Sequence, residues 1–120
     1  MKLNKECVRD LLLAIEEMDH DEVIYKDDLI TNPRLNKYDF HEVVYAIEKL
    51  IEGNFINGRV NYSDNGVHSL VVSSLTWDGH QFLDNIRDDG VWKSTKNVAS
   101  KFSSVSLNMI GNIASSIISK

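Results

Sequence analysis

The stretch Asp39-Phe40-His41-Glu42-Val43-Val44-Tyr45-Ala46-Ile47-Glu48-Lys49-Leu50-Ile51-Glu52-Gly53 decides the fold. Phe40, Val43, Val44, Ile47, Leu50 and Ile51 recur at spacings of three and four, which is one face of an amphipathic helix. The spacing predicts a helix over residues 40–52. Asp39 is placed as its N-cap, Glu42 completes a capping box three residues on, and Tyr38 can staple onto Val43. Gly53 is expected to end the helix in the left-handed conformation that glycine takes without a Cβ penalty.

Downstream, Phe55 and Ile56 return to apolar character. Val60–Tyr62 and Val67–Leu75 read as two strands around the turn Ser63-Asp64-Asn65-Gly66, whose Asn-Gly pair tolerates positive φ. Val71, Ser73 and Leu75 alternate with Leu70, Val72 and Ser74, so both faces of the second strand need some cover. Helix, glycine, short apolar pair and hairpin follow in the order of the recognition helix and wing of a winged helix. The expected fold class is therefore α+β: a winged helix-turn-helix domain with a β-hairpin wing over residues 1–90, then a C-terminal helical extension over 91–120.

Upstream, Asn4 is a suitable N-cap for a first helix, with Leu3 and Val8 as its staple. Val8, Leu11, Leu12, Ile15 and Met18 form the expected buried stripe, and Asp10, Glu16 and Glu17 are expected to face water. Val23–Tyr25 reads as a short strand and Asp27–Ile30 as the start of a short helix capped by Asp27. Asn32-Pro33 stops it, because the residue before proline is driven out of helical geometry. A full second helix barely fits, so a helix-turn-helix here would be degenerate. Beyond the hairpin, Thr76 caps a helix carrying Trp77, Phe82, Leu83 and Ile86, and Asp88-Asp89-Gly90 breaks it. Val91–Lys101 is a further helix with Trp92, Val98, Ala99 and Phe102 on its apolar side. Ser106 caps a last helix, in which Leu107, Ile110, Ala114 and Ile117 repeat at a/d spacing. That stripe predicts either packing within the chain or a homodimer through the C-terminal helix.

The chain has 120 residues, 13 basic and 18 acidic, with a net charge of -5. Residues 1–60 carry 8 basic and 13 acidic side chains, residues 61–90 carry 1 and 5, and residues 91–120 carry four lysines and no acid. No stretch reads as a signal peptide or a membrane span, and a cytoplasmic setting without a membrane is expected. Cys7 is the one cysteine, which excludes an intrachain disulfide and fits a reducing compartment. On the apolar side of its helix it reads as a small core residue.

The segment Leu75-Thr76-Trp77-Asp78-Gly79-His80-Gln81-Phe82-Leu83-Asp84-Asn85-Ile86-Arg87-Asp88, followed by Val91-Trp92-Lys93, is distinctive. With Val8-Arg9-Asp10-Leu11-Leu12 and the helix exit over Leu50–Ile56, it resembles a family of small phage and prophage proteins catalogued as a domain of unknown function. The resemblance covers essentially the whole chain. It implies a winged-helix-like fold and a phage or bacterial setting, and it brings no activity, ligand or catalytic residue. Members often carry a Tyr-His pair in the central helix, where this chain has Tyr45-Ala46.

Catalytic signatures are scarce. The chain has no Gly-x-Ser-x-Gly, no phosphate-cradling glycine loop, no His-Glu-x-x-His and no cysteine pair. His80, Asp84 and Asp88 are four apart and would share a helical face, but three ligands on one helix converge poorly on a metal. No metal, cofactor or enzymatic activity is expected. The recognition surface is placed on Arg34, Lys37, His41, Tyr45, Lys49 and Arg59. If the partner is double-stranded DNA, His41 and Tyr45 would read base edges while Arg34, Lys37 and Arg59 hold phosphates. The many acids on the same surface favour instead a protein partner, of host or phage origin. Fold does not dictate function, and an acidic reader module is more compatible with protein.

Overall fold

The computed structural model describes residues 1–119. It is an α+β molecule with six helices and a three-stranded antiparallel sheet among those residues: α1 (Lys5–Glu16), β1 (Ile24–Tyr25), α2 (Asp28–Thr31), α3 (Phe40–Glu52), β2 (Ile56–Ser63), β3 (Gly66–Leu75), α4 (Trp77–Ile86), α5 (Asp89–Ala99) and α6 (Leu107–Ile118). The chain forms two compact units, Met1–His80 and from Gln81 onward.

In the first unit, α1 and α3 pack together, and α1 also meets β3. Val8, Leu11, Leu12 and Ile15 of α1 and Val43, Val44, Ile47 and Leu50 of α3 are buried, as their periodicity requires. Sheet residues Ile24, Ile56, Leu70, Val72 and Leu75 are buried too. The sheet order is β1-β3-β2, so the longest strand is central and β2 is an edge. β2 starts at Ile56, four residues before the expected Val60. The register pairs Asn57 with Ser74 and Gly58 with Val72, then Asn61 with Ser69 and Tyr62 with Val67. Ser73 and His68 are therefore the extra residues. Both bulges lie in β3, which they bend, and β2 runs without interruption.

Several local expectations are corrected. Gly53 has φ of -78°, and the left-handed residue is Asn54, with φ of 62°. Asparagine takes that conformation because its short polar side chain finds local partners. At the hairpin tip Gly66 alone has positive φ, at 106°. The capping box does not form: Asp39 accepts from the His41 amide, while Glu42 Oε1 accepts from Asn4 Nδ2 at 3.0 Å. Asn4 Oδ1 in turn caps α1 through the Cys7 amide at 3.1 Å. One asparagine thus serves the first turns of two helices. Asp10 is buried rather than facing water, and Trp77 is 76% exposed rather than packed.

Thr76 fixes the start of α4 onto the exit of α3. Its hydroxyl accepts from the Gly79 amide at 3.0 Å and donates to the Asn54 carbonyl at 2.6 Å, and its amide donates to the Phe55 carbonyl at 3.0 Å. A Cβ on Gly79 would lie 2.0 Å from the Phe55 carbonyl oxygen. The Leu75–Gly79 segment is therefore a close backbone crossing that admits only glycine at its fifth position.

In the second unit, α5 packs on α6. Asp88 is the N-cap of α5, accepting from the Val91 amide at 2.8 Å, and Gly90 lies inside the first turn instead of breaking the chain. Thr95, fully buried, donates to the Val91 carbonyl at 2.7 Å, which satisfies its hydroxyl. Phe102 falls beyond α5 and is 53% exposed, against the expectation that it lines the helix. Ser106 caps α6 through the Met109 amide at 3.1 Å.

Candidate interaction surface

The exposed side of α3, the turn before it and the outer side of β2 hold all six residues assigned to recognition. Their geometry is dominated by acids. Arg34 makes a bidentate pair with Glu17, Nε to Oε1 at 2.7 Å and Nη2 to Oε2 at 2.9 Å, and its Nη1 lies 3.6 Å from Asp10. Lys37 Nζ lies 3.1 Å from Asp10 Oδ2. The same carboxylate accepts from the Tyr38 hydroxyl at 2.5 Å. Buried Asp10 thus gathers a phenol and two cations, and the bidentate Arg34–Glu17 fork fixes the turn between α2 and α3 to α1. Hydrogen bonds and the charge of Arg34 hold the Glu17 carboxyl below its usual range. Burial, then the Asp10 hydrogen bond, raises the Tyr38 phenol well above its usual value.

On α3, Lys49 Nζ binds both carboxylate oxygens of Glu52, at 3.0 and 3.3 Å, and lies 5.5 Å from the Tyr45 ring centroid. Its ammonium is held protonated by that Glu52 pair. His41 Nδ1 is 3.7 Å from Asp39, and its ring meets Phe40 edge-on with centroids 5.6 Å apart. Tyr62 of β2 donates its hydroxyl to Glu48 across to α3, which raises the phenol pKa. Arg59, exposed on β2, makes no ion pair among the described residues. It borders a groove of about 290 Å³ whose other walls are Glu48, Ile51, Glu52, Gly58 and Val60. Sequence reasoning missed Asp10, Glu17 and Tyr62 as members of this surface, because each contact joins elements far apart in the chain.

A second depression, about 170 Å³, lies between the end of α1 and the β3–α4 corner, with His20 and His80 on its wall. His80 is exposed and forms no hydrogen bond to the hairpin among the described residues. Asp84 pairs with Arg87 at 2.9 Å, and Asp88 lies beyond α4 and caps α5, so the three residues do not share one helical face. Among the described residues no three His, Cys, Asp or Glu side chains are grouped to hold a metal ion. Cys7 is fully buried, and burial first, then Glu42 and Asp10, pushes its thiol up to about 12. It is therefore a protonated core residue at neutral pH.

Of the four residues assigned to dimerisation, Ile110 and Ala114 are buried, while Leu107 and Ile117 are half-buried. Met109 and Ile118 of the same helix are 43% and 51% exposed. No helix among the described residues is long and apolar enough to cross a membrane.

The molecule is thus an α+β protein that presents a helix face and an open sheet edge, where Arg34, Lys37 and Lys49 are already held by its own carboxylates. The model of a family described as a hypothetical protein, DUF2513, matches residues 2–106. An uncharacterized protein of Haemophilus influenzae is 34% identical over 121 residues, spanning 100% of this chain and 98% of that relative. The chain belongs to the DUF2513 family, a domain of unknown function, as the resemblance in its sequence implied. No solved structure matches it.

Proposed function

We propose that the chain is a non-enzymatic recognition module of winged-helix type that acts on a protein partner, in the bacterial or phage setting suggested by the resemblance. The element order α1-β1-α2-α3-β2-β3, with β3 between β1 and β2, supports the winged-helix reading. α3 then stands where a recognition helix stands, and the β2–β3 hairpin is the wing.

The observation that carries the choice of a protein over DNA is the state of the cations. Arg34 and Lys37 are engaged by Glu17 and Asp10, and Lys49 by Glu52. Duplex affinity comes mainly from lysine and arginine on phosphates. A cation that must first leave a carboxylate contributes less, and the carboxylate left behind repels the backbone. Of the four arginines and lysines assigned to recognition, Arg59 alone is held by no carboxylate among the described residues.

Selection from a pool of randomised duplexes tests this. The expected outcome is no enriched motif after repeated rounds at physiological salt. Convergence on one sequence, lost on Tyr45→Ala or Arg59→Ala, would overturn the protein reading and establish a sequence-specific DNA-binding regulator instead.

A further inference from the structure

We propose that β2 is a self-association edge: two copies of this chain join antiparallel through β2, about a two-fold axis at Val60, to make one continuous six-stranded sheet. This goes beyond the recognition reading and does not depend on the nature of the partner.

β2 is paired on one side with β3, and its other side carries no backbone hydrogen bond among the described residues. Free edges invite a further strand, and natural sheets protect them with proline, lysine, bulges or short strands. β2 runs eight residues without proline or lysine, both bulges of the hairpin lie in β3, and its single charged residue is Arg59. Beside this edge is the groove of about 290 Å³, walled by α3 and by Gly58, Arg59 and Val60, with no residue of β3 in its lining. The groove therefore opens between α3 and β2, on the side of β2 away from β3.

The sequence of β2 is complementary to itself in one register. A two-fold normal to a sheet keeps each side chain on its face, so residue 60 meets residue 60 and residue 58 meets residue 62. Val60 then packs on Val60 of the second copy. Tyr62, 57% exposed, lies across Gly58, covering a position that has no side chain of its own. Gly58 is fixed within the chain, because its Cβ would lie 2.6 Å from the Val71 carbonyl oxygen. Arg59 faces Asn61 of the second copy, which avoids the like-charge pair of a register centred on residue 59.

Disulfide trapping and sedimentation of the full chain test this together. Val60→Cys should cross-link into a dimer under mild oxidation. Ser63→Cys should not, because that register separates the two positions by about 20 Å along the strands. Tyr62→Ala should weaken association about tenfold or more, with an unchanged circular-dichroism spectrum reporting an intact fold. Ile117→Ser, on α6, should leave association intact. A monomer at every concentration would overturn the proposal. So would cross-linking through Ser63→Cys but not Val60→Cys, or a dimer lost with Ile117→Ser and kept with Tyr62→Ala. A failed DNA selection, or a successful one, bears on the recognition reading alone.

Discussion

Asn54 and Gly53 show how closely one backbone angle controls the joint between α3 and the sheet. The chain reverses at Asn54, with φ of 62°, and this turn presents the Asn54 and Phe55 carbonyls to Thr76. A β-branched residue in that conformation costs roughly 1–2 kcal/mol. We therefore expect Asn54→Val to lower stability by about that amount in urea titration and Asn54→Gly to be near neutral. Gly53→Ala should cost less than Asn54→Val, since its φ is ordinary and the Lys49 carbonyl, 3.3 Å from the added Cβ, has to give only a few tenths of an ångström. The reverse ranking would show that Gly53 carries the turn. Sequence alone favours Gly53, because glycine is the commoner left-handed cap. Nothing local reveals that the demand comes one residue later, from Thr76, 22 positions downstream of the carbonyl it binds.

Among the elements, α1, α3 and the last strand were legible because their apolar residues repeat with the period of the element and face one core. The limits of β2 and α5 were not. β2 begins in Ile56-Asn57-Gly58, where asparagine and glycine read as turn residues, yet cross-strand contacts such as Asn57 Nδ2 to Ser74 Oγ at 3.0 Å hold them in the ladder. Asp88-Asp89-Gly90 reads as a breaker, and becomes a cap followed by a first turn. The candidate surface was legible in its residue types and not in its pairings. Arg34, Lys37 and Lys49 are visible as cations, but their carboxylate partners are set by tertiary placement of α1 and by rotamers on α3. At this scale the test is Gly79. Its close approach to the Phe55 carbonyl leaves no space for a methyl group, so Gly79→Ala should cost about 3 kcal/mol. Gly90→Ala, whose Cβ would meet the capping oxygen Asp88 Oδ2 at 3.1 Å, should cost less, because a side chain rather than a backbone carbonyl has to give. Equal effects would mean that α4 can shift off the α3 exit freely.

For the whole molecule, charge is the organising quantity. The first 60 residues are strongly acidic and the last 30 basic, while within the first unit acids hold the cations that stand near α3. On the proposed reading as a recognition module, this arrangement biases the surface against phosphate and toward a protein surface. The chain also repels its own copies, so the β2-mediated dimer should tighten as salt screens that repulsion. The most direct test of the account is the salt dependence of binding to a fluorescent duplex of random sequence, for the wild-type chain and for the double variant Glu17→Gln, Glu52→Gln. We predict weak binding with a shallow slope for the wild type, and a slope steeper by about two for the variant, as Arg34 and Lys49 are released to phosphate. A steep slope in the wild type, or no steepening in the variant, would contradict it.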